Sequence, residues 1–136
     1  MKLNGVTFNN EDGKNRQDVL REISYREAGI SIVNVVETKF EGERAVQVFD
    51  SITNQCIGWI PKDELAANPS FPETMTVRVQ QYKGIMFADI MPTITPSSKQ
   101  YFAVKRICKE RRIPMPAYDA RAYKSIIVKN LATVKA

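Results

Sequence analysis

The stretch Thr74-Met75-Thr76-Val77-Arg78-Val79-Gln80-Gln81-Tyr82-Lys83-Gly84-Ile85-Met86-Phe87-Ala88-Asp89-Ile90-Met91 decides the fold. From Thr74 to Tyr82 apolar Met75, Val77 and Val79 alternate with Thr76, Arg78 and Gln80, the period-two pattern of a half-buried strand. Lys83-Gly84 is a two-residue turn, and Ile85 to Met91 returns as the second arm of a hairpin. Working outward, Ile30 to Val36 is dense in β-branched residues and reads as a central strand. Ala45 to Phe49 is the next strand, after a loop at Lys39-Phe40-Glu41-Gly42-Glu43. Thr53-Asn54-Gln55 turns the chain into Cys56-Ile57-Gly58-Trp59-Ile60. Pro61 stops that strand because it has no N–H to donate. Lys62 to Ala67 forms one helical turn or two. Five or six strands joined by hairpins, with one short helix, predict a small barrel, which also removes exposed sheet edges.

Towards the N-terminus, Lys2 to Phe8 is a short β-prone run and Asn9-Asn10-Glu11-Asp12-Gly13 is turn chemistry. From Asn15 a helical pattern begins, with Val19, Leu20 and Ile23 as its apolar stripe; Asp12 or Asn15 caps it and Gly29 ends it. Towards the C-terminus, Pro92-Thr93-Ile94-Thr95-Pro96 is a short stiff linker. A helix then runs from a cap at Ser97 or Ser98 to about Arg112, where Pro114 and Pro116 break the pattern. Asp119 caps a last helix whose Tyr123, Ile126, Ile127, Asn130 and Leu131 share a face. The chain thus divides into a β unit over residues 1–91 and a basic helical tail over 92–136.

Charge divides at the same place. Residues 1–91 hold 10 Lys/Arg against 13 Asp/Glu, a net of −3, and residues 92–136 hold 10 against 2, a net of +8. A basic tail of this kind suits a polyanion. The chain has no histidine, so it lacks the commonest general base and transition-metal ligand. Cys56 and Cys108 are far apart and outside any pair motif, and read as buried apolar residues. No apolar run approaches the roughly 18 residues that span a bilayer, and the start shows no signal-peptide core, so a soluble cytoplasmic protein is expected. Neither a cofactor nor a metal is expected.

Three segments in order resemble the HIRAN domain. Gly5-Val6-Thr7-Phe8 with Asn15-Arg16-Gln17-Asp18-Val19-Leu20 is the first. Glu37 through Val48 is the second, with Glu37, Ala45 and Val48 at the family's acidic residue, alanine and valine. Ile57-Gly58-Trp59-Ile60-Pro61-Lys62 is the third, similar to the family's Ile-Gly-Tyr-Ile-Pro. The match spans about residues 2–90. The resemblance implies an OB-like β-barrel, of the kind found beside helicase and nuclease modules and as small stand-alone bacterial or phage proteins. It implies that the barrel holds the end of single-stranded DNA, with aromatics against bases and a loop carboxylate on the terminal hydroxyl. Phe8 falls at the family's first-strand aromatic and Lys62 at its basic residue. Where the family carries Asn-Pro-Tyr-Asp, this chain has Lys39-Phe40-Glu41-Gly42-Glu43, so that Phe40-Glu41 stands for Tyr-Asp.

The candidate site residues follow. Phe8 and Trp59 either stack bases or pack in the core, and Phe40 either stacks a base or anchors its loop by a hydrophobic contact. Arg16 and Lys62 either contact phosphate or are solvated or salt-bridged surface charges. In the tail, Phe102, Lys105, Arg106 and Lys109 fall at i, i+3, i+4 and i+7, an aromatic within a basic face, opposite Tyr101, Val104, Ile107 and Cys108, which should be buried. The carboxylates Glu11, Asp12, Glu41, Glu43, Asp63 and Glu64 sit in turns, with no Gly-rich phosphate loop, nucleophile elbow or metal spacing beside them. The expectation is therefore an OB-like barrel with one inserted helix and a C-terminal helical hairpin, mainly β with α additions. Its expected role is non-catalytic binding of single-stranded DNA or a DNA end. A protein–protein interaction module, such as an adaptor for a nuclease or helicase or a phage protein that binds a host enzyme, is the alternative.

Overall fold

The computed structural model describes residues 1–135, with side chains through residue 131. Five antiparallel strands form one curled, barrel-like sheet: β1 (Ile30–Phe40), β2 (Glu43–Asp50), β3 (Cys56–Trp59), β4 (Thr74–Tyr82) and β5 (Ile85–Met91), in the order β3-β2-β1-β4-β5. The β4–β5 hairpin turns at Lys83-Gly84 as its sequence requires, pairing Tyr82 with Ile85. β1 is central, as its run of β-branched residues predicts. It is four residues longer than that run, because Glu37 to Phe40 continue to pair along β2 as far as Phe40 opposite Glu43. The expected loop over 39–43 is therefore a hairpin tip of two residues, Glu41 (φ 51°) and Gly42 (φ 80°), the twist-matched turn that two-residue hairpins favour.

The sheet does not close by pairing β3 with β5. Instead the N-terminal segment lies between the two edges. The Leu3 N–H donates to Ala88 O and the Ile90 N–H to Met1 O on the β5 side, while Asn4 and Trp59 exchange both backbone hydrogen bonds on the β3 side. Residues 2–8 thus make single bridges rather than the β-run their composition suggests, because each flank pairs with a different strand. Gly58 is what admits this segment: a Cβ there would stand 2.6 Å from Asn4 O.

α1 (Arg16–Ser24) packs against β3, β4 and β5 with Val19, Leu20 and Ile23 wholly buried in the core. Asn15, one of the two predicted caps, accepts from the Gln17 N–H. Gln17 itself ties the helix to the sheet: its amide donates to Val6 O and Met86 O and accepts from the Met86 N–H. The helix ends at Ser24, before a short 3-10 turn over Glu27–Gly29. α2 (Lys62–Ala67) follows β3 directly.

The tail folds as a hairpin of α3 (Ser98–Arg111) and α4 (Ala120–Lys135). Ser97 caps α3 in a reciprocal box with Gln100. Val104 and Cys108 pack on Tyr123 and Ile126, flanked by Tyr101, Ile107 and Ile127, in a cluster separate from the sheet's core. The face predicted to be buried is buried or half-buried, except that Leu131, placed on the inner face of α4 by its spacing, is exposed. Both cysteines are buried free thiols, and burial pushes both thiols up from their ordinary pKa.

The tail is docked on the sheet. Asp119, wholly buried, accepts from Thr76 Oγ1 at 2.8 Å, from the Ile94 N–H and from Arg121. Ser125 and Lys129 both reach Glu27 beside the 3-10 turn. This docking explains why Thr76, assigned by alternation to the outer face of β4, is buried. Among the described residues no helix is long and apolar enough to cross a membrane.

Candidate functional site

Six of the ten candidate residues gather around one cleft. Phe8, Arg16, Phe40, Glu41, Trp59 and Lys62 all line a cavity of about 730 Å³, together with Asn4, Gly5, Glu43, Arg44 and Leu65. That volume lies in the range of small-ligand clefts, about 300–1,000 Å³.

Three elements build it. The β1–β2 tip carries Phe40 and Glu41, the end of β3 carries Trp59, and the N-terminal segment carries Gly5 and Phe8. Their convergence follows from the backbone exchange between Asn4 and Trp59, which sets the N-terminal segment beside β3. Phe40 and Trp59 touch, with ring centroids 6.2 Å apart and planes at 58°. Phe8 is 65% exposed and Phe40 62%, while Trp59 is half-buried. Of the readings open to these aromatics, core packing fails for Phe8, and the contact of Phe40 with Trp59 leaves most of Phe40 uncovered. Each would return apolar area to an inserted ring, because both are largely exposed.

Arg16 departs from the surface-charge reading. It is neither solvated nor salt-bridged: it is 7% exposed, with Nε donating to Asn10 Oδ1 at 2.8 Å and Nη1 to Gly5 O at 2.8 Å. A Cβ on Gly5 would lie 3.0 Å from Arg16 Nη1, 3.3 Å from Trp59 Cδ1 and 3.5 Å from Phe8 Cδ2, so the guanidinium and two of the aromatics meet over this glycine. Lys62 does match the surface-charge reading: it is highly exposed and 3.4 Å from the equally open Glu43. Such a pair is weak and readily exchanged for another anion.

Arg44 is a cleft residue the sequence reading missed. Its guanidinium grips Glu37 at both carboxylate oxygens and donates to Leu65 O and Asn68 O, fastening α2 to the sheet. The Arg44 hydrogen bond holds the Glu37 carboxyl below its ordinary range. The signal was present in part, since Glu37 and Arg44 are cross-strand neighbours once β1 is extended to Phe40. Asn4 and Gly5 were missed because their place depends on the N-terminal segment crossing to β3.

The four tail candidates stand elsewhere. Phe102 is 64% exposed, and Lys105, Arg106 and Lys109 are exposed around it. The alternative in which Phe102 packs on the sheet does not occur. Among the described residues none of the three cations forms a salt bridge. This face is not part of the cleft. The tail docks near Glu27, at the Ile30 end of β1, and the cleft lies at the Phe40 end, about 30 Å away along the strand at 3.3 Å per residue. The turn carboxylates also disperse: among the described residues no three Cys, Asp or Glu side chains gather as a metal-ligating group.

No protein-family model, no curated protein and no solved structure matches the chain.

Proposed function

We propose that this chain is a non-catalytic binding protein for single-stranded DNA or a DNA end, built on an OB-like barrel of the HIRAN kind and acting in the cytoplasm. The observation that carries the reading is the convergence of exposed Phe8 and Phe40 with Trp59 on one cleft whose floor holds the Arg16 cation. Flat π-faces beside fixed positive charge are what single-strand binding uses, with stacking worth about 1–3 kcal/mol per base. The exposed basic face of α3 supplies a second, sequence-independent attraction for the phosphate backbone. Glu41 and Glu43 oppose a polyanion at the cleft rim, so the aromatics and Arg16 carry the affinity there and the tail carries much of its salt dependence. A fluorescence anisotropy titration with short labelled single strands tests this. The account expects binding tighter than the roughly 10⁻⁴ M of bare non-specific association at physiological salt. Weaker binding contradicts it.

A protein partner is the second reading, favoured by a different surface. Exposed Tyr25, Ile52, Ile113 and Met115 border a groove between the sheet and the loop after α3. A pull-down from nuclease-treated lysate separates the readings, since DNA-bridged partners are lost on digestion.

A further inference from the structure

The feature of the cleft that stacking leaves unexplained is the charge on Arg16. A guanidinium that is 7% exposed normally faces a carboxylate, because removing an ion from water without a counter-charge is costly. Among the described residues Arg16 forms no salt bridge; its two recorded hydrogen bonds go to the neutral Asn10 amide and the Gly5 carbonyl. Those two bonds fix the plane of the guanidinium while leaving its charge uncompensated. It lines both the aromatic cleft and an adjoining groove, and Trp59 does the same. The carboxylates nearby are placed otherwise: Glu43 is engaged by Lys62, Glu41 sits on the exposed turn, and Glu11 and Asp12 border the adjoining groove.

We infer that Arg16 is the seat of a phosphomonoester, so that the cleft, unlike the hydroxyl-binding site that the HIRAN resemblance implies, selects a strand terminus bearing a phosphate over one bearing a hydroxyl. The inference rests on the DNA-binding reading and names the group recognised at that same site. A terminal phosphate carries about −1.5 to −2 charges at neutral pH, more than the single charge of an internal diester. It therefore gains more from an uncompensated cation held away from water. Arg is also the side chain whose planar fork matches phosphate oxygens. The size of the cleft suits the end of a chain, with one ring against Phe8, Phe40 or Trp59 and the phosphate at Arg16, better than a long strand passing through.

The test is an anisotropy comparison of one internally labelled oligothymidine in three forms: 5′-phosphorylated, 3′-phosphorylated, and hydroxylated at both ends. The expected result is that one phosphorylated form binds at least about tenfold more tightly than the hydroxyl form, the scale of a hydrogen bond to a charged group. Arg16→Gln should abolish that ratio, whereas Lys62→Gln should lower all three affinities and keep it. Because Arg16→Gln also removes two bonds that hold the fold, the Lys62→Gln ratio is an independent check: if the preference disappears there, the phosphate sits at the rim and the inference is overturned. Equal binding of all three forms overturns the inference and leaves the DNA-binding reading standing. No binding of any form overturns both.

Discussion

Single residues carry the cleft. Phe40 is largely exposed, with the Trp59 ring tilted beside it at 6.2 Å, so its ring adds little to folding. Phe40→Ala should weaken single-strand binding by about 1–3 kcal/mol, while stability changes by no more than about 0.5 kcal/mol. Paired anisotropy and thermal denaturation measure the two together, and a variant that loses stability and keeps affinity would remove Phe40 from the site. Gly58 behaves in the opposite way. An alanine there would press its Cβ on the Asn4 carbonyl, a backbone atom held by its own hydrogen bond to Trp59. Gly58→Ala should cost about 1–3 kcal/mol in chemical denaturation, the scale of overpacking. Phe40 was legible as a candidate because it stands in a charged loop, and Phe8 because it falls at the family's first-strand aromatic. The setting of Arg16 was not, because its burial comes from Gly5 and Asn10, eleven and six positions away, and neither leaves a local pattern.

At the level of elements, alternation and turn chemistry were enough for the β4–β5 hairpin, for β2 and β3, for α2, α3 and α4, and for the start of α1, which stops at Ser24 rather than at the expected Gly29. They failed where tertiary pairing overrode local composition. The strand read from sequence stops at Val36 and the loop begins at Lys39, because the β-branched run ends there and polar residues follow, yet cross-strand pairing with β2, including the Glu37–Arg44 ion pair, extends the ladder through Phe40. The tail's docking was equally hidden, since it depends on Asp119 meeting Thr76 across 43 residues. Burial raises the Asp119 pKa, but the hydrogen bonds from Arg121, Thr76 and the Ile94 N–H outweigh it and hold the group at about 2, against 3.8 ordinarily. A carboxyl depressed in the folded state adds stability that is present above its unfolded value and lost as pH falls through the folded one. Asp119 should therefore contribute about 2 kcal/mol above about pH 4, lost between about pH 4 and pH 2. Denaturation against pH should show that acid limb in the wild type and a flatter one in Asp119→Asn. For α3, replacing Lys105, Arg106 and Lys109 with Gln should reduce the slope of log affinity against log salt by about 2, from about 0.7 per phosphate contact on a single strand. An unchanged slope would take this face out of DNA binding.

The whole molecule joins a slightly acidic β unit to a basic hairpin, with the aromatic cleft at the Phe40 end of β1 and the tail docked near its Ile30 end. Under the proposed reading the two parts have different work: the cleft would take bases and a chain end, and the tail would draw in backbone at a distance. Trp59 is the chain's single tryptophan and stands in the wall shared by the cleft and its adjoining groove, so its emission reports on this region of the molecule and not on the tail. The most direct test of the account is therefore a titration of intrinsic tryptophan fluorescence with short single-stranded DNA, run beside anisotropy of the same strand. The account predicts a saturating change in Trp59 emission with the same midpoint as the anisotropy. Anisotropy that rises while Trp59 emission stays constant would place the DNA away from the cleft and contradict it.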